Sequence, residues 1–136
     1  MTKTFYLEVH TPYRLFFSGN VEYISVTLID GEKGVHANHS PFVAPVVPCI
    51  LSIKEEEGTI RTAFIADGLL EVTEIKTLLL VDTGEWPDEI DTERALKAKQ
   101  EADEKLRTAI LKFETEHAKT KLRRAEIRLK AAGTIG

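Results

Sequence analysis

The sequence predicts an all-β N-terminal domain, a two-layer antiparallel β-sandwich over residues 1–86, followed by a C-terminal α-helical hairpin over residues 87–136. Three observations predict it. From Lys3 to Val81 the apolar residues follow period two, with frequent turn residues between the runs. After Trp86-Pro87 the composition changes abruptly, with no glycine or proline from Asp88 to Ala132. Beyond that point alanine and leucine recur in steps of three and four, the spacing of one helical face.

Each strand has its own signal. Phe5, Leu7 and Val9 alternate with Tyr6, Glu8 and His10. Glu22, Ile24, Val26 and Leu28 alternate with Val21, Tyr23, Ser25 and Thr27. Thr59 to Ile65 and Glu71 to Val81 are rich in β-branched and apolar side chains. Ser18-Gly19-Asn20, Asp30-Gly31, Lys33-Gly34, Glu57-Gly58 and Asp67-Gly68 read as the turns between them. A lone sheet would leave one apolar face wet, so two stacked layers are expected.

For the helices, Asp88 or Asp91 offers an N-cap carboxylate to the first orphan backbone N–H groups. Ala95, Ala98, Ala102, Leu106, Ala109 and Phe113 form one stripe; Ala118, Leu122, Ala125, Leu129 and Ala132 form a second. The five-residue step from Phe113 to Ala118 rotates the stripe off its face, at about 100° per residue. A turn is therefore expected near 114–117, with Gly133 ending the second helix. Alanine knobs contribute far less than the roughly 1.5–3 kcal/mol of a buried Leu or Phe. Two readings stand: a permanently folded hairpin, or a weakly docked tail that straightens into one longer helix.

Charge separates the same segments. Residues 1–87 carry 6 basic and 12 acidic side chains (−6), 88–113 carry 6 and 7 (−1), and 114–136 carry 6 and 3 (+3). The mildly acidic total of −4 argues against a dedicated nucleic-acid binder. A basic last helix meets either an acidic partner or anion, or only solvent. A single cysteine, Cys49, allows no intramolecular disulfide and fits a reducing compartment. Apolar runs such as Leu78 to Val81 are too short to span a bilayer, and Met1 to His10 reads as a strand rather than a signal peptide.

Catalytic chemistry is poorly represented. His36 and His39 near Cys49 fall short of the four ligands of a structural zinc, and no P-loop or dinucleotide fingerprint occurs. No catalytic residue and no metal ligand is expected. The tail holds a better cluster. Arg124 and Arg128 are four apart and share a helix face, and Arg94 stands one turn into the preceding helix. In an antiparallel pair these three guanidiniums converge. Either an anion such as a polyphosphate, or salt bridges to Glu85, Asp91 or the sheet domain, would balance them.

Several stretches resemble the ε subunit of bacterial F-type ATP synthases. They are Phe17-Ser18-Gly19 with Val21-Glu22-Tyr23-Ile24-Ser25-Val26, Gly31-Glu32-Lys33-Gly34-Val35-His36-Ala37-Asn38-His39-Ser40-Pro41, Ala66-Asp67-Gly68-Leu69-Leu70-Glu71-Val72, and Leu80-Val81-Asp82-Thr83-Gly84-Glu85. The resemblance runs nearly end to end. It departs at Pro48-Cys49, where the family often has Pro-Gly, and at His36-Ala37. It implies a β-sandwich with a C-terminal helix pair, in a non-catalytic rotor subunit at the cytoplasmic face of the plasma membrane. The implied partners are the γ subunit, the c-ring and, through an extended tail that inhibits hydrolysis, the catalytic β subunits. It also implies that the loop from Gly31 to Pro41 meets the c-ring, with Glu32 and His39 as candidate contacts. Ile90-Asp91-Thr92-Glu93-Arg94-Ala95 is similar to the ATP-binding motif of Bacillus-type members. By that resemblance Arg94, Arg124 and Arg128 hold phosphates, while Glu85, Ile90, Asp91 and Ala95 frame the base and ribose. ATP is then a regulatory ligand and no cofactor is required.

Overall fold

The computed structural model describes residues 3–133; Met1, Thr2 and residues 134–136, at the outer ends of the two expected domains, lie outside the described residues. The chain divides into two compact units between Glu85 and Trp86. The first holds seven strands: β1 (Phe5–His10), β2 (Leu15–Leu28), β3 (Gly31–His36), β4 (Phe42–Val46), β5 (Cys49–Glu55), β6 (Ile60–Val72) and β7 (Thr77–Glu85). The second holds a short 3₁₀ turn (Pro87–Glu89), α1 (Thr92–Thr108) and α2 (Lys112–Ala131).

Strand order is β1-β7-β6-β4-β2-β3, with β5 bridging β2 and β6 and β1 also pairing β2. The long strands β2 and β6 therefore serve both layers, and the inner faces close on one core. Leu7, Val9, Val21, Ile24, Val26, Leu51, Ile53, Phe64, Ile65, Leu70 and Leu79 are at most 1 % exposed. Pairing is antiparallel except between β1 and β7, which run parallel. The expected alternation holds through β1 but slips in β2, where Val21 and Ile24 both point inward. A bulge causes it: Val21 pairs with Glu55 and Tyr23 with Lys54, leaving Glu22 extra. The Glu22 carboxylate meets Lys54 Nζ at 3.3 Å.

Three of the expected turns lie inside strands. Lys33-Gly34 belongs to β3 and Asp67-Gly68 to β6. Glycine is there for close approach rather than reversal. A Cβ on Gly34 would sit 2.9 Å from the Tyr23 ring, and one on Gly68 2.0 Å from the Leu80 carbonyl oxygen. Ser18-Gly19-Asn20 likewise runs through β2. The segment Gly31 to Pro41 is not one loop: its first six residues are strand β3, hydrogen-bonded to β2.

In the helical unit Asp91 supplies the N-cap, its Oδ1 accepting from the Arg94 N–H at 3.1 Å. The turn lies at 109–111, not at 114–117. Thr108 Oγ1 competes for the Glu104 carbonyl at 3.2 Å, and Ala109 is already extended (φ −67°, ψ 132°). Phe113 misled the periodicity: it is 70 % exposed and begins α2 instead of closing the α1 stripe. Ala95, Ala102, Ala118, Ala125, Leu129 and Ala131 are buried, so the second stripe ends on Ala131 rather than Ala132. Gly133, at φ 83°, follows the helix and donates to the Lys130 carbonyl at 3.1 Å.

Candidate functional site

The helical unit gathers most of the expected nucleotide residues. Counting out from the turn, Ala102 meets the level of Ala118 and Ala95 that of Ala125, so Arg94, Arg124 and Arg128 share the open end of the hairpin. Arg124 and Arg128 project from one face of α2, beside the buried Ala125 and Leu129. Both are half-buried and engaged in interactions within the chain, whereas Arg94 is exposed. Ile90 and Ala95 are buried, at 8 % and 4 % exposure. Asp91 is exposed but committed to capping α1. Glu85 closes β7 and so belongs to the other unit.

Two physical effects favour an anion at the start of α1. Its first backbone N–H groups lack intrahelical partners, and its dipole is positive there. An opposing effect acts on α2, whose last turn carries Arg128 and Lys130 beside the negative end of its own dipole.

Glu32 and His39 sit apart. Glu32 is exposed at the start of β3, opposite Thr27, while His39 lies beyond the other end of that strand. The His39 ring packs on Phe42 at 5.0 Å, and its Nδ1 is 2.7 Å from the Ser40 carbonyl oxygen. His36 packs on Tyr23 at 4.6 Å, and Cys49 is buried with its Sγ accepting from the Thr27 N–H at 3.4 Å. Among the described residues no group of acidic, His or Cys side chains could hold a metal ion.

One surface went unread in the sequence. The outward rows of β7, β6 and β4 run Leu80, Leu69, Pro45 and, in the next row, Leu78, Glu71, Val43. Leu80, Leu69 and Val43 are 44 %, 38 % and 59 % exposed. The signal was present in Leu78-Leu79-Leu80-Val81. A strand with one wet face should alternate, and an unbroken apolar run marks both faces for cover.

Residues 4–87 match the family described as "ATP synthase, Delta/Epsilon chain, beta-sandwich domain", and residues 88–133 its "long alpha-helix domain". The chain belongs to the ATP synthase epsilon chain family. It is 48 % identical to the ATP synthase epsilon chain of Caldicellulosiruptor bescii over 128 residues, covering 94 % of this chain and 93 % of that one. It is 44 % identical to that of Caldanaerobacter subterraneus subsp. tengcongensis over 133 residues, covering 97 % and 96 %. A chain in the cryo-EM structure of the Euglena gracilis mitochondrial ATP synthase (OSCP/F1/c-ring) shares the fold. The TM-score is 0.83 at 24 % identity, covering 95 % of this chain and 81 % of that one. An epsilon chain is a non-catalytic subunit of its complex.

Proposed function

We propose that this epsilon chain is a central-stalk subunit that joins the γ subunit to the c-ring and restrains ATP hydrolysis through its helical pair. The observation that carries the rotor assignment is the apolar outer face of Leu69, Leu78, Leu80, Val43 and Pro45. A sheet whose inner face already forms the core has no use for a second apolar face unless a partner covers it. The γ subunit takes this face, and the c-ring loops take the strand carrying Glu32 and the turn carrying His39. The subunit thereby lies at the cytoplasmic face of the membrane, held there by the complex. A Leu69→Ser/Leu80→Ser variant, folded by circular dichroism, should no longer co-purify with γ; retention at the wild-type level would refute the assignment.

The helical pair is the regulatory part. Its seam is mostly alanine, and its turn leaves Ile110, Leu111 and Phe113 exposed at 92 %, 50 % and 70 %. Straightening therefore sacrifices little burial, and the extended basic helix can reach acidic segments of the catalytic β subunits. ATP, with its phosphates on Arg94, Arg124 and Arg128 and its base and ribose framed by Ile90, Asp91 and Ala95, stabilises the folded form by binding it preferentially. A second reading, a structural coupling subunit with a vestigial nucleotide site, is favoured by the capping role of Asp91 and the existing engagement of Arg124 and Arg128. Calorimetric titration with ATP, beside an Arg124→Ala/Arg128→Ala variant, separates the two. Binding heat lost in the variant supports sensing, and no heat in either protein supports the vestigial site.

A further inference from the structure

The docking face just assigned to γ holds a carboxylate among its aliphatic side chains. Leu70 and Val72 are buried, at 0 % and 4 % exposure, so alternation along β6 turns the intervening Glu71 outward onto that face. Glu71 is in register with Leu78 of β7 on one side and Val43 of β4 on the other, and Leu69 lies two residues before it. Cross-strand neighbours have Cβ atoms about 4.5–5.5 Å apart, so aliphatic groups flank the Glu71 side chain along its row. Glu71 is half-buried, and among the described residues it has no ion pair or hydrogen bond from its carboxylate. The same row contains a contrasting case. Beyond Leu78 stands Glu8, in register with it on β1. Glu8 meets His10 Nε2 at 2.9 Å and accepts from Lys76 Nζ at 3.4 Å. One carboxylate of the row is thus compensated twice within the chain, and the other is left to water.

A carboxylate costs little while water reaches it. Covered by a partner that brings no counter-charge, it costs far more than a neighbouring leucine gains. Resting on the docking assignment above, we propose that γ presents a basic side chain, arginine or lysine, to Glu71, so that the covered face closes over an ion pair. The apolar contacts around it tolerate sliding, whereas a buried pair is made in one position. Glu71 therefore fixes the register and orientation of γ on the sheet, and it rejects apolar surfaces that carry no cation.

The test is binding of the full chain to purified γ, measured across a series of salt concentrations. Glu71→Gln keeps the shape of the side chain and removes its charge. It should weaken binding by about 10- to 100-fold and flatten the salt dependence, because the basic group of γ is left covered and unpaired. Glu57→Gln, at the β5–β6 turn, should bind within about twofold of wild type. The sign of the effect is diagnostic. If no cation meets Glu71, removing its charge spares a desolvation cost, and binding stays equal or tightens. Equal or tighter binding by Glu71→Gln, with binding lost in Leu69→Ser/Leu80→Ser, would overturn the ion pair and leave the docking face standing. Wild-type binding by both variants would overturn both. The free Glu71→Gln chain should melt within a few degrees of wild type, since no contact inside the chain is lost. A larger drop would reveal a partner within the chain and overturn the proposal.

Discussion

Leu129→Ala tests whether the helical pair is held as weakly as its sequence implies. Leu129 is 1 % exposed and is the one helical residue among the largest fully buried side chains of the described chain. The other buried residues of the two helices are alanines, which contribute little area. Losing three carbons at about 0.8 kcal/mol each removes about 2.4 kcal/mol. Incomplete collapse of the resulting cavity raises the cost to about 2.7–5 kcal/mol. The helices comprise 17 and 20 residues, and a unit of that size holds on the order of 2–6 kcal/mol. One substitution therefore consumes most of its stability. Amide hydrogen exchange reads this directly: protection across 92–131 should fall by at least about 100-fold, since 1.4 kcal/mol is a factor of ten. Strands β5, β6 and β7 should exchange as in wild type. Wild-type protection in α1 and α2 would refute the weak-seam argument.

Three further outcomes follow from named contacts. Gly68→Ala should destabilise the sandwich by more than about 3 kcal/mol in thermal or urea unfolding, because the new Cβ would meet the Leu80 backbone oxygen at 2.0 Å and backbone cannot step aside cheaply. The Glu8 carboxyl is held below its ordinary value of 4.5, first by the hydrogen bond with His10 and then by Lys76. A depressed carboxyl stabilises the fold above its unfolded pKa, and that contribution is lost as pH falls through the folded value. Glu8→Gln should therefore narrow its stability deficit progressively below about pH 4.5, and an unchanged deficit from pH 6 to 3 would contradict it. Ile110→Pro exploits the extended backbone of Ala109, which is what the residue before a proline requires. It should leave circular dichroism intact while blocking formation of one continuous helix, so under the proposed function the assembled enzyme should lose the inhibition assigned to the straightened tail. Undiminished inhibition would rule out straightening as the mechanism.

The two-part architecture was legible because each half obeys a single period. Leu7 and Val9 alternate cleanly in β1, and Ala95, Ala102, Ala118 and Ala125 repeat at helical spacing. What escaped were the places where an apolar or glycine signal had a different cause. Phe113 was counted into a stripe although it faces water; Gly34 and Gly68 marked close packing, not reversals; and the Glu22 bulge exchanged faces inside β2 without any turn residue to announce it. Arg94, Arg124 and Arg128 were legible from helical spacing and the hairpin's polarity. The capping use of Asp91 was foreseen, but its side chain cannot serve a ligand without cost to the helix start. The most informative failures share a property. Leu78 and Leu80 on an outward row, and Ile110 and Phe113 at the turn, violate rules that a self-sufficient fold obeys. Natural sequences that are otherwise locally consistent concentrate such violations at functional surfaces. Here the violations fall on both units, so each unit leaves a cost that only an assembly can offset: the sheet by covering its outer leucines, the hairpin by giving its turn and its basic helix something to meet.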